Sequence, residues 1–361
     1  MTESKPISFA RGAPSLDIVA VDELRAAANA AFENDPAGVC MYGTAIGYVP
    51  LRDWIAEKHG VAPEQVIVTN GSMQADAFLF QEALEAGDQV VVEAPSYDRT
   101  LLSLKALGAE LIPIPLEDDG IDVSALEAAI EAGARPKLAH IIPNFHNPGG
   151  CTLSLAKRER LVALAREHGF LIFEDDPYVD IRFAGEPLPR MIELDGENVV
   201  YACSFSKTVC PGIRVGYLVG PADRIARIVK IATGTYISPS MVSQAVVNQF
   251  CRSGGMDGAI ATVKSALRER SQVLCAELRE QLPEATFVEP QGGYFLWIDL
   301  PAGTDGDALF VAAAERGLAF VKGSDFLLEG GHSSLRIAYS GVTPEQISDG
   351  VGRLADAYRA L

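Results

Sequence analysis

Of the nine lysines in the 361-residue chain, Lys207 has the setting that bears chemistry. It follows an apolar run, Val199 to Cys203, in a Ser-Phe-Ser-Lys turn, and a Pro211-Gly212 break separates it from a second apolar run opening at Arg214. A lysine at a strand end, desolvated and close to other cations, loses its proton readily, and the free amine forms a Schiff base with an aldehyde. Ser204, Ser206 and Arg214 add hydroxyls and a planar guanidinium, which suit a phosphate. An aldehyde and a phosphate on one ligand point to pyridoxal 5'-phosphate (PLP). Lys58, Lys105, Lys157, Lys230 and Lys264 lie in helix-like segments where solvation accounts for them. The plainer reading of Lys207 is a strand-end lysine capping carbonyls.

Further polar residues collect at the ends of other apolar runs. T-N-G-S-M-Q opens a helix at Ser72, whose N-terminal N–H groups make an anion site, although plain N-capping explains Ser72 alone. Phe170 to Glu174 runs into E-D-D-P-Y, and consecutive acids there are costly to bury unless a positive group meets them. One of Glu174, Asp175 and Asp176 can hold a pyridine nitrogen protonated, and alternation alone does not fix which. P-N-F-H-N-P-G-G sets Asn147 in a rigid turn where its amide can donate to a phenolate oxygen, with His146 read as a loop residue. E-A-P-S-Y puts Tyr97 at a strand end, able to stack on a flat ring, though a lone aromatic is more often core.

These turns need a scaffold that brings strand ends together. From Val66 the chain alternates apolar runs (66–69, 89–93, 110–114, 137–142, 170–174, 199–204 and 215–219) with helical segments (72–85, 97–107, 123–131 and 155–168). The expected fold is α/β: a mostly parallel seven-stranded sheet covered by helices on both faces, with a smaller α/β domain built from the N- and C-terminal segments. Ligands in such sheets sit outside the strand ends. The expected division is an N-terminal segment, 1–40, packing with the small domain, a large cofactor-binding domain, 41–270, and a C-terminal small domain, 271–361.

Composition narrows the function classes. A formal net charge of -18 argues against a nucleic-acid surface as the main function. No apolar run is long enough to span a membrane and the N-terminus does not read as a signal peptide, so a cytoplasmic location is expected. Six scattered cysteines without metal-ligand spacing read as free thiols, and no metal site is expected.

Taken in order, G-S-M-Q, N-P-G-G, D-D-P-Y and S-F-S-K-T-V-C-P-G-I-R-V-G resemble the motifs of fold-type I PLP enzymes, and most closely the class I/II aminotransferases of the 2-aminoadipate and kynurenine aminotransferase branch. The resemblance covers essentially the whole chain. It implies that Lys207 is the Schiff-base lysine and proton shuttle, that Asp175 pairs with the ring nitrogen, and that Tyr178 and Asn147 meet the phenolate oxygen while Tyr97 stacks on the ring. It also implies that Ser72, the Met73 backbone, Ser204, Ser206 and Arg214 hold the phosphate, with Tyr42 reaching in from the partner of a homodimer. Arg336, in S-L-R-I-A-Y-S, would grip a substrate α-carboxylate with help from Asn147 and the Gly12 backbone. Two positions depart from the family pattern: Met73, where relatives often carry glutamine, and Arg11, where a glycine is common and which either reaches a distal acidic group on the substrate or is solvated or paired at the domain edge.

The activity implied is amino-group transfer from an L-amino acid to a 2-oxo acid by a ping-pong mechanism. Elimination, replacement, cyclisation or oxidation from the same carbanion is the alternative within PLP chemistry. An effector-sensing regulator ranks below both, because residues 1–40 hold only Lys5, Arg11 and Arg25 against six acids.

Overall fold

The computed structural model describes residues 5–361. After a two-residue strand β1 (Ile7–Ser8), the central sheet is built from β2 (Val66–Thr69), β3 (Gln89–Ala94), β4 (Glu110–Glu117), β5 (Gly120–Ile121), β6 (Pro136–Ile141), β7 (Leu171–Asp175), β8 (Val199–Ser204) and β9 (Gly216–Val219). Their spatial order is β2-β9-β8-β7-β6-β3-β4-β5. The pairs among β4, β3, β6, β7 and β8 are parallel, while β9 runs antiparallel to both neighbours and β5 antiparallel to β4. All seven expected strands are present. The sheet has eight because Gly120 lets the chain double back after Asp118-Asp119, and the two-residue β5 it forms is too short to leave a periodic signal.

Alternation along the strands sorts side chains onto two covered faces. Val90 and Val92 of β3, with Phe173 of β7 and Val200 of β8, pack under Phe78, Leu79 and Phe80 of the helix Ser72–Ala83 and Ile225 and Ile228 of the helix Ala222–Tyr236. Val91, Ile172 and Val199 face the opposite way, onto Leu126 of the helix Val123–Glu131 and Leu161 and Val162 of the helix Leu155–His168. Covered on both faces, β2, β7, β8 and β9 are buried along their whole length.

A second core lies beside the first. The sheet of β10 (Phe295–Asp299), β12 (Val321–Lys322) and β13 (Ser334–Ala338) has the order β10-β13-β12, and β11 (Leu318–Ala319) pairs in parallel with β1. Ile7, Phe9 and Ile18 from the start of the chain join this core, which also takes Val263, Leu267, Leu274 and Leu278 from the helix Gly255–Gln281 and Ile347 to Ala357 from the helix Pro344–Tyr358. No described helix is long and apolar enough to cross a membrane. Because β2, β3, β6, β7 and β8 point the same way, their C-terminal ends open at one edge of the sheet, next to the second core.

Candidate active site

At that edge is a cavity of about 740 Å³. Its wall includes Lys207, Asp175, Asn147, Tyr97, Tyr178, Ser72, Met73, Ser204, Ser206, Arg214, Arg336 and Gly12. Tyr42 and Arg11 do not line it: the Tyr42 ring is 87% exposed, and Arg11 turns to solvent beside Gly12.

Lys207 sits in the turn after β8. Its Nζ donates to Gly12 O at 3.1 Å and lies 5.4 and 5.3 Å from the ring centres of Tyr178 and Tyr294. The Tyr294 hydroxyl donates to the Lys207 carbonyl at 2.9 Å, which fixes the backbone that carries the amine. Burial first, then the charges of Arg336 and Arg214, bring the ammonium down to about 8, against the pull of Asp175. The plainer reading of a capping lysine accounts for one contact, to Gly12 O, but not for this setting.

The strand β7 resolves the three acids. Glu174 turns to one face, where its carboxylate accepts from Met191 N at 2.8 Å and Ile192 N at 3.0 Å, capping the helix Met191–Leu194. Asp176 accepts twice from Asn144 Nδ2, at 3.0 and 2.9 Å. Asp175, between them, faces the cavity. One of its oxygens lies 3.5 Å from His140 Nε2 and the other, Oδ1, is buried without a partner. An orphaned buried carboxylate oxygen demands a cationic or donor group from a ligand.

The anion-binding end is built from closely spaced backbone. Gly71 (φ 88°, ψ 160°) precedes the helix Ser72–Ala83, and a Cβ on it would collide with the Arg214 guanidinium. A Cβ on Gly216 of β9 would run into the Ser72 N–H. Arg214, itself left-handed at φ 50°, donates to Ser206 Oγ at 3.2 Å. Guanidinium, hydroxyls and helix N-terminus thus converge where a phosphate would be cradled. Gly71→Ala is expected to weaken PLP retention about tenfold or more, since the backbone region is close to glycine-only and costs about 1–3 kcal/mol for other residues. A PLP titration of the variant checks this, and unchanged affinity would remove Arg214 from the cradle.

On the opposite wall, Arg336 of β13 is clamped between Phe295 and Phe326, 4.3 and 4.8 Å from their ring centres. It donates to Asn147 Oδ1 at 2.9 Å and Ala10 O at 2.7 Å, and its Nε–H is buried without an acceptor. Asn147 is held in turn by a stiff loop, in which His146 Nδ1 accepts from Gly149 N at 3.0 Å and His146 Nε2 lies 3.0 Å from Glu93 Oε2. His146 is therefore a buried loop brace. Met73 brings its sulfur 4.0 Å from the Tyr97 hydroxyl, and burial, followed by the charge of Asp98, pushes that phenol up to about 12.

Sequence reasoning missed several residues on the wall or directly behind it. Tyr294 and Phe295 follow Gly292-Gly293, whose lack of side chains admits the Phe145 ring, and that glycine pair was the available signal. Phe326 carried none, because it is placed by a backbone contact, Ser96 N to Phe326 O at 2.9 Å. Asp76 was legible as the one acid within the apolar stretch of S-M-Q-A-D-A-F-L-F.

A reactive amine, an orphaned acid and a phosphate cradle at the strand ends of this sheet define a fold-type I PLP enzyme, and the donors present fit that cofactor. The chain belongs to the aminotransferase class I and II family, whose pattern matches residues 4–354. It is 33% identical to the 2-aminoadipate transaminase of Thermus thermophilus over 98% of this chain and 90% of that protein. With the aromatic-amino-acid aminotransferase 1 of Thermococcus litoralis the identity is 30%, over 99% of this chain and 88% of the relative. Among solved structures, the α-aminoadipate aminotransferase of Thermus thermophilus, complexed with N-(5'-phosphopyridoxyl)-L-leucine, superposes with a TM-score of 0.94 at 32% identity, covering 98% of this chain and 92% of the other. The protein is a PLP-dependent aminotransferase.

Proposed function

We propose that this aminotransferase moves the amino group of an L-amino acid to a 2-oxo acid with Lys207 as its catalytic residue. The observation that carries the reading is one buried amine sharing a single cavity with an unpartnered Asp175 oxygen and an unpartnered Arg336 Nε–H. When bound, PLP supplies an aldehyde for an amine and a protonated ring that accepts the electron pair left on the substrate Cα. Lys207 Nζ takes the Cα proton and returns one. Asp175 would hold the ring nitrogen protonated, Tyr178 and the Asn147 amide would meet the phenolate oxygen, and Tyr97 would pack on the ring. Ser72, the Met73 backbone, Ser204, Ser206 and Arg214 hold the phosphate. Arg336, oriented by Asn147 and Ala10 O, receives the α-carboxylate. The Gly12 backbone would help hold that carboxylate, and Arg11, which faces solvent beside it, would turn inward to read a distal acid when the substrate carries one. Aromatic rings on the Arg336 wall exclude water and strengthen that ion pair.

We also assign the working form to a homodimer, in which Tyr42 enters the partner's cavity. Its ring and the neighbouring Met41, 68% exposed, form an apolar pair that has no use in a lone protomer. Six free thiols suit a cytoplasmic enzyme.

A half-reaction tests the chemistry. Given an amino donor and no acceptor, the loaded enzyme is expected to release about one equivalent of 2-oxo acid per site and stop, resuming when 2-oxoglutarate or pyruvate is added. Continuous ammonia release without acceptor would instead establish elimination.

A further inference from the structure

Asp76 is a buried carboxyl in the active-site wall that the reaction above leaves unused. It stands one turn along the helix from Ser72, on the same face, and is 7% exposed. Its Oδ1, like Oδ1 of Asp175, has no hydrogen-bond partner among the described residues. Both line one cavity and the Asp175 charge is felt at Asp76, and two desolvated carboxyls so coupled do not both ionise readily. Their surroundings differ. Asp175 has His140 of β6 at 3.5 Å and attracts Lys207 across the cavity. Asp76 has only its own backbone N–H in its favour. Of the elements packed around it, Tyr97 brings a phenol whose titration feels both acids, Tyr236 of the helix Ala222–Tyr236 turns its hydroxyl to Ala45 O, and Arg224 of that helix is held by Glu82. The same wall also carries the cations Arg99, Lys105, Lys207, Arg214 and Arg336 and the acids Asp98 and Asp325.

We propose that Asp76 is a positioning residue that forms a one-proton pair with Asp175, keeping the proton itself so that the negative charge stands on Asp175, opposite the ring nitrogen. This assignment rests on the PLP reading of the site, but its main test uses cofactor-free protein. Burial, then the Asp175 charge, hold the Asp76 carboxyl well above the usual carboxylate range. Folded Asp76 is then protonated at pH values where unfolded Asp76 is ionised. The folded state binds the extra proton, and stability falls as pH rises from the ordinary aspartate value toward the folded one.

The experiment is thermal unfolding of cofactor-free wild type, Asp76→Asn, Asp175→Asn and the double variant from about pH 5 to 7. Asparagine does not titrate, so the Tm of Asp76→Asn is expected to exceed that of wild type by a margin that grows by about 2 °C per pH unit. In the Asp175→Asn background the margin should grow more slowly. Saturating PLP should also shrink it, because a cation opposite Asp175 relieves the pressure on Asp76. A margin independent of pH overturns the proton assignment, and one indifferent to both Asp175→Asn and PLP overturns the pairing. Should Asp76→Asn fail to fold, Asp76→Ser serves in the same comparison. If PLP does not bind at all, the site reading falls while the cofactor-free comparison still decides the pair.

Discussion

Lys207→Ala is expected to lower turnover by about 10⁴-fold or more, because it removes the amine that serves as both nucleophile and proton carrier at Cα. Borohydride reduction should fix the cofactor's mass at position 207 of the wild type and leave the variant unlabelled. The wild-type amine also predicts a pH profile. Only neutral Nζ attacks an aldehyde, and the cofactor-free lysine titrates at about 8. The rate of PLP capture should therefore rise with pH up to about 8 and level off above it. A variant that still turns over, or a capture rate flat between pH 6 and 9, would remove Lys207 from the centre of the chemistry.

The second large effect belongs to Arg336. Truncation to alanine removes a desolvated guanidinium held by two hydrogen bonds and two rings. Losing one partner of such a buried pair costs about 3–5 kcal/mol, so kcat/KM should fall roughly 10²- to 10⁴-fold. Arg336→Lys keeps the charge but not the planar fork or the stacking, and is expected to recover little. A separate signature follows from the charge. Arg336 helps hold the Lys207 ammonium down, so in Arg336→Ala the rise in PLP capture should move to higher pH. Steady-state kinetics with one amino donor, together with that pH profile, check both. An alanine variant with unchanged kcat/KM would refute the carboxylate role.

Much of this arrangement was legible because chemistry and scaffold left marks of different kinds. Strands β7 and β8, buried on both faces, read as unbroken apolar runs, and each ends in the polar residues of the site. The choice among Glu174, Asp175 and Asp176 was not legible from position. It depends on what stands across from each, a helix N-terminus for Glu174 and Asn144 for Asp176, and those partners come from 15 or more positions away. The same holds for Ala10 O, which takes the Arg336 hydrogen bond, and for Gly12 O, which takes Lys207, contacts that nothing in the local sequence marks. Strand β4 runs to Glu117, past the expected end at Ile114, since a strand near the sheet's edge tolerates Pro113 and Pro115.

The run Ala10 to Gly12 has one further implication. One carbonyl is fastened to Arg336 of the second core and another, two residues on, to Lys207 of the first. The stretch works as a gauge block whose thickness sets the gap between two jaws. Side chains along it can vary while the gap holds, but adding or deleting a single residue would misalign both fastenings at once. In drifting or redesigned versions of this protein, its length should resist change even where its lettering does not.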